Sequence, residues 1–407
     1  MNTLKISSLY FQIPLLVIVL WLGINTAKAN KTTLFKSHPV NGTEIDESLE
    51  LSFSAKRGFY DNPFNLELTS NKVGTVIRYT TNGELPTPTS GNIYSSPIPI
   101  NSTAYIRAIA YTNSEVTKVY THTYIFTKDV INQPNSVAGF PTTNFAFDAS
   151  IKNNATYNNQ LEEALRQIGT ISIVIDLKDL EQVHNGNSEM PTSMELIYPD
   201  GQENHQQDCG LERFGGTSYE NPKRNFRLSF KSIYGEGKLN YPLFGEGVSE
   251  EFDQIALRAG HAGCINRYGT YLNTGESNDI ADQVVRDLQI NMQEDGIGVA
   301  GNFMHLYING IYWGVYNTTE RPTAGWAGKY YGGSKEDWDI IKTKAALVGN
   351  ANTWNTLNNL VDNQNMAVAA NYNAIQNYID IRQFIDCLLY TSPSPRDLST
   401  SRMPSSA

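Results

Sequence analysis

The sequence predicts two folded parts in one chain, an all-β sandwich followed by a mixed α/β (α+β) domain. Three observations predict it. A length of 407 residues is too great for one typical domain. From Phe53 to about Phe126 short apolar runs alternate with turn dipeptides, the pattern of an antiparallel sandwich. From Ile171 onward, period-two runs are interspersed with apolar residues at helical spacing.

The chain opens with Lys5, an apolar stretch from Ile13 to Ile24 and the small-x-small triplet Ala27-Lys28-Ala29. This is the layout of a secretory signal peptide over residues 1–29, removed after Ala29; the alternative is an uncleaved anchor. No later run is long or apolar enough to span a bilayer. The mature protein is therefore expected to be secreted, periplasmic or at the cell surface. With 41 acidic against 31 basic side chains and a formal charge of −10, the overall field repels nucleic acid.

The sandwich is expected over residues 30–130. Val76 to Thr81 alternates before Asn82-Gly83, a strong turn signal. Ala104, Ile106, Ala108 and Ala110 fall on one face of a second strand, with Tyr105, Arg107 and Ile109 on the other. The Asn- and Thr-rich stretch 131–169 reads as a linker ending in a short helix over Leu161 to Ile168.

The second domain is expected over residues 170–386. Ile171, Ile173 and Ile175 mark its first strand. Lys223 to Lys231 alternates so that Phe226, Leu228 and Phe230 face a core, while Lys223, Arg227 and Lys231 form a cationic stripe beside a glycine turn. Ile280, Val284, Val285 and Leu288 make a helical stripe that reads as core. Asn309-Gly310 closes a hairpin; with a two-residue turn, Leu306 pairs with Trp313 and Met304 with Val315. Trp354 to Ile385 carries further helical spacing.

From Cys387 the text CLLYTSPSPRDLSTSRMPSSA turns Ser/Pro-rich. It matches the conceptual translation of a transposase-type sequencing adapter, so residues 387–407 are expected to be non-native. Without the leader's two lysines and the tail's net single positive charge, the formal charge moves from −10 to −13. Cys209 and Cys264 then remain, as one disulfide or as two free thiols.

The run GLERFGGTSYENPKRNFRLSF from Gly210 to Phe230 resembles the signature of the CotH kinase family, the spore-coat-type atypical protein kinases. Tyr219 and Asn225 depart from it, standing where Arg and Ser are common. FDQIALRAG at Phe252 to Gly260, DIADQVVRDL at Asp279 to Leu288, HLYINGIYWGVYNTTERP at His305 to Pro322 and WDIIK at Trp338 to Lys342 resemble further segments of that family in the same order. GTVIRYTTNGELPTPTSGNIYSSPIPINSTAYIRAIAY likewise resembles the chitobiase/β-hexosaminidase C-terminal-type domain, non-catalytic by that resemblance. It serves either as a spacer or as a surface for polysaccharide.

The CotH resemblance implies an exported kinase-like domain that uses ATP and a divalent metal, Mg or Mn, to phosphorylate Ser or Thr of an extracytoplasmic protein. Candidate nucleotide-binding residues are Lys223 and Arg227 for the phosphates, Glu320 to order a cation and Lys342 at a strand end. The catalytic and metal-binding aspartates are expected beyond Asp386, where nothing in this chain matches them, so the chain as written is expected to be inactive. The rival reading is a non-catalytic surface adhesin. Gly210 to Thr217 lacks the lysine of a P-loop, having Gly216 in its place. His261-x-x-Cys264 with Cys209 lacks zinc-site spacing, and no G-x-S-x-G or H-E-x-x-H motif is present.

Overall fold

The alternation seen in the N-terminal half builds strands whose two faces are both used. The computed structural model describes residues 18–21, 44–45, 48–143, 145–199, 204–215, 223–259, 280–292, 296–342 and 344–391. In the sandwich, β4 (Val76–Thr80) and β7 (Tyr120–Ile125) flank β6 (Ala104–Tyr111), both antiparallel to it. Two strand pairs complete the layer: β1 (Leu51–Phe53) with β3 (Leu68–Ser70), and β2 (Phe64–Leu66) with β5 (Ile98–Ile100). Leu66, Ile106, Ala108, Ala110 and Tyr124 fill the core between them.

Residues 131–169 hold more structure than a linker with one helix. α1 (Thr127–Ile131) leads into it, α2 (Ala149–Lys152) is a single turn, and α3 spans Ala155–Ala164. The last begins six residues before the expected Leu161, because the Asn154 side chain accepts from the Thr156 and Tyr157 N–H groups and starts the helix there.

The second domain is a closed seven-stranded barrel. Its strands are β8 (Thr170–Val174), β9 (Met190–Ile197), β10 (His205–Arg213), β11 (Phe226–Ser229), β12 (Gln254–Arg258), β13 (Gly301–Ile308) and β14 (Ile311–Glu320). They run in the order β8-β9-β10-β11-β12-β14-β13. Every pair is antiparallel except β13 with β8, whose parallel register closes the ring. Ile171, Ile173, Leu196, Leu211, Phe226, Leu228, Leu257 and Leu306 fill the interior. Burying each such side chain is worth roughly 1.5–3 kcal/mol. α4 (Leu177–Asn185), capped by Asp176, packs Leu180 and Val183 into the same core.

The hairpin β13–β14 corrects the expected pairing. Asn309 and Gly310 both adopt positive φ, as a two-residue turn requires. Tyr307 lies opposite Tyr312, but a bulge then shifts the register, so that Leu306 faces Gly314 and Met304 faces Tyr316. The extra residue turns Trp313 into an aromatic cluster with Phe145 and Phe226, at ring separations of 5.3 and 5.7 Å.

The stripe on α5 (Ala281–Met292) is also corrected. Ile280, Val284 and Leu288 are about half exposed, and Gln283, buried instead, accepts a 2.8 Å bond from the Asn317 side chain. The helix was placed by its polar residues, for Asp282 also pairs with Arg258 of β12.

The described chain divides into two compact units. Sandwich and barrel share one, which runs to Val284 and takes in Ala300–Glu320; the other holds Val285–Val299 and the chain from Arg321 onward. In the latter, α6 (Ala324–Tyr331) packs Ala324 and Ala327 against Trp338 and Ile340 of β15 (Trp338–Lys342). β15 pairs antiparallel with β16 (Ala345–Val348) and with an extended segment at Ile18–Trp21, inside the stretch read as a leader. Helices α7 (Asn352–Asn363), α8 (Ala369–Ile375) and α9 (Ile381–Thr391) follow. α9 continues past Asp386, across the start of the adapter-like text. No helix among the described residues is long and apolar enough to cross a membrane.

Candidate functional site

The strand pair β10–β11 carries the cations singled out from sequence. As expected, Phe226, Leu228 and Phe230 point into the barrel, and Arg227 stays on the opposite face. Each cation of the stripe has a protein partner. Arg227 lies directly opposite Glu212 in the ladder and forms an ion pair with it. Lys231 donates to both Glu189 carboxylate oxygens, at 2.7 and 2.9 Å, and the Tyr234 hydroxyl donates to the same group at 2.9 Å. Burial opposes ionisation of Glu189, but these bonds outweigh it and hold the carboxyl below its usual range. Gly210 is the small residue that lets this cluster close, since a Cβ there would stand 2.6 Å from the Tyr234 ring and 2.7 Å from Glu189.

Lys223 reaches the bulge of β14. Its ammonium donates to the Val315 carbonyl at 2.9 Å and stands 4.6 Å from the centre of the Tyr316 ring. Gly314, at φ +109°, gives it room, for a Cβ there would come within 3.0 Å of the ammonium nitrogen. Glu320 ends β14, buried, where its carboxylate accepts from the Ala300 N–H at 3.0 Å. Lys342 belongs to the other unit, exposed at the end of β15. Arg227 and Glu320 thus stand on barrel strands, Lys223 lies just ahead of β11, and Lys342 belongs to the other unit.

Sequence reading missed a second cationic group beside Lys223. Arg213, at the end of β10, donates to the His184 carbonyl at 3.0 Å and to the Asn187 side chain at 3.3 Å. Burial lowers the proton affinity of His184, and Arg224 and Arg213 lower it further. Burial and the nearby Arg213 lower that of Arg224 in the same way. The Arg224 carbonyl accepts from the Tyr316 hydroxyl at 3.0 Å, which fixes its place beside Lys223. Arg213 and Arg224 therefore act on one another and on His184 near the ends of β10 and β11, with Lys223 next to Arg224 in the chain. The only sequence signal was proximity to the glycine turn, because Arg213 and Arg224 fall outside the period-two stripe.

Asn225, a departure from the expected wording, has a structural task. Its side chain accepts from the Ala259 N–H at 2.7 Å, and its carbonyl accepts from the Phe214 N–H, tying β12 and β10 to the strand between them. Cys209 is a free, buried thiol, pushed well up in pKa by burial. Cys264, His261 and most of the glycine loop, residues 216–222, lie outside the described residues. Among the described residues no three His, Cys, Asp or Glu side chains converge as a metal site would require. The divalent metal implied by resemblance finds no fitting donor set among them.

Residues 55–121 match the family model described as chitobiase/beta-hexosaminidase C-terminal domain, and residues 211–391 match that described as CotH kinase protein. No curated protein matches the chain. The barrel begins at β8, ahead of the second matched span.

Proposed function

We propose that this chain comes from an exported atypical protein kinase whose parent transfers phosphate from ATP to Ser or Thr of an extracytoplasmic or surface protein. The observation that carries this reading is the proximity of Arg213 to Arg224, next in the chain to Lys223 and beside the glycine turn, inside the segment matched to the CotH kinase family. Neighbouring cations favour an anion of high charge density, and a nucleotide's phosphates provide one. Lys223, Arg224 and Arg213 hold the phosphates in this reading, while Arg227, neutralised by Glu212, supports the strand. The metal-binding and catalytic carboxylates belong to segments expected after Asp386.

Binding of a fluorescent ATP analogue to the full chain tests the reading. Lys223→Ala and Arg224→Gln should each weaken binding about tenfold or more, the scale of a lost charge-assisted contact. Arg227→Gln should change it less than about twofold. Unaltered affinity in the first two variants sinks the assignment. The 407-residue chain should incorporate no phosphate from radiolabelled ATP, whereas a version carrying the gene's own continuation should.

The engagement of Lys223, Arg227 and Lys231 by protein groups favours a second reading, a non-catalytic surface protein built on the same barrel. Absence of nucleotide binding in a folded parent protein would select it. Retention on an insoluble glycan would add a carbohydrate-associated role.

A further inference from the structure

The outer face of the sandwich strand β6 should be wet if the sandwich were an independent bead. Instead Arg107 and Ile109 are 3% and 2% exposed, and Thr121, Thr123 and Ile125 of β7 are fully buried. β7 is thus buried on both faces, with Tyr124 in the sandwich core and the threonines against the barrel.

What covers them is a polar seam. Glu195 of β9, fully buried, accepts from the Thr123 N–H at 3.0 Å and from the Thr123 hydroxyl, and the Arg57 guanidinium stands 3.5 Å away. The Thr123 hydroxyl also meets that of Ser172 on β8 at 2.8 Å. Gln206 of β10 accepts from the Thr121 N–H at 3.2 Å. The carboxylate and its cation come from opposite sides of the domain boundary. Burial raises the Glu195 carboxyl and lowers the Arg57 guanidinium, so each relies on the other to remain charged.

The two Asn-Gly turns meet at the same boundary. Asn309 of the barrel hairpin donates to the Ile175 carbonyl at 2.8 Å and accepts from its N–H at 2.9 Å. Gly83 of the sandwich turn lies so close that a Cβ would stand 2.2 Å from that carbonyl oxygen. Arg107 donates to the Gly83 carbonyl at 2.8 Å and holds the turn in place. Beside them an apolar cluster joins Ile125, Val130, Ile131 and Leu165 to Ile197 and Tyr307 of the barrel.

We infer that the sandwich is a fixed wall of the barrel, folding and unfolding with it, rather than a separable module on a linker. Domains joined by small or loosely packed interfaces move relative to one another. An ion pair divided across the boundary, its carboxylate fully buried and its guanidinium largely so, opposes such movement, because separation strands one charge on each side.

Native-state hydrogen exchange read by mass spectrometry on the full chain tests this. Leu66→Ala empties space in the sandwich core without touching the seam. It should speed exchange in β4 and β6 by at least about tenfold, and the amides of β8 and β9 should accelerate by the same factor. Gly83→Ala should do likewise from the seam itself. Acceleration confined to residues 48–126, with β8 and β9 unchanged, overturns the inference. Should Leu66→Ala fail to fold, Leu66→Val supplies the same comparison with a smaller cavity.

Discussion

His122 shows how a single side chain acquires its character from its surroundings. Its ring stacks on Phe53 at 4.0 Å, and its Nδ1 lies 3.3 Å from the Ala55 carbonyl oxygen. Burial, with Arg57 nearby, pushes its pKa down to about 3. In the unfolded chain the ring takes a proton near pH 6.5. Its contribution to stability is therefore complete above that pH and is lost as pH falls from 6.5 toward 3. A His122→Phe variant keeps a ring against Phe53 and removes the titration. Its unfolding midpoint should fall less between pH 6.5 and 5 than the parent's, as followed by circular dichroism. Parallel decline in the two proteins would show that His122 does not contribute. The same scale explains Arg227: a cation in a basic stripe loses much of its pull on a phosphate once Glu212 stands opposite it.

At the scale of the element, the hairpin β13–β14 is the most consequential piece. Its turn was legible because Asn-Gly tolerates the two positive φ values of a two-residue loop. Its register was not, because a bulge is settled by what Trp313 and Lys223 find on neighbouring strands. Gly314→Ala places a Cβ at φ +109° within 3.0 Å of the Lys223 ammonium. A loss of about 1–3 kcal/mol in urea unfolding is expected, with a further drop in nucleotide affinity if Lys223 moves. Val315→Ala, on an exposed side chain of the same strand, should stay within about 0.5 kcal/mol. Equal costs would mean that the bulge is not specified by Gly314. The strand β11 was the opposite case: its period-two alternation predicted that Phe226, Leu228 and Phe230 enter the core, although Ser229, out of phase, is buried as well. Helix α5 misled because helical periodicity identifies an apolar stripe but not the surface available to cover it.

For the whole molecule, the decisive feature is that sandwich and barrel form one compact unit. A chain with a protease site introduced between Pro134 and Ser136, where all three residues are exposed, should remain associated after cleavage. The two pieces should co-elute in size exclusion at neutral pH, because Glu195, Arg57 and Thr123 hold them without the covalent link. Separation of the pieces would show that the seam is weaker than its burial implies.

The sequence by itself determined the two-part architecture, the Asn-Gly turns and the segment similar to the CotH kinase family, because periodicity and turn chemistry are local properties of the chain. It placed Arg227 on the face of its strand opposite Phe226 and Leu228. Only the tertiary structure decided which cations are already neutralised, that Arg213 stands near Arg224, and that the sandwich's second face is buried. Those outcomes depend on residues far apart in sequence, Glu212 with Arg227 and Arg57 with Glu195. Such pairs exist only once strand register and domain contact bring their charges within reach.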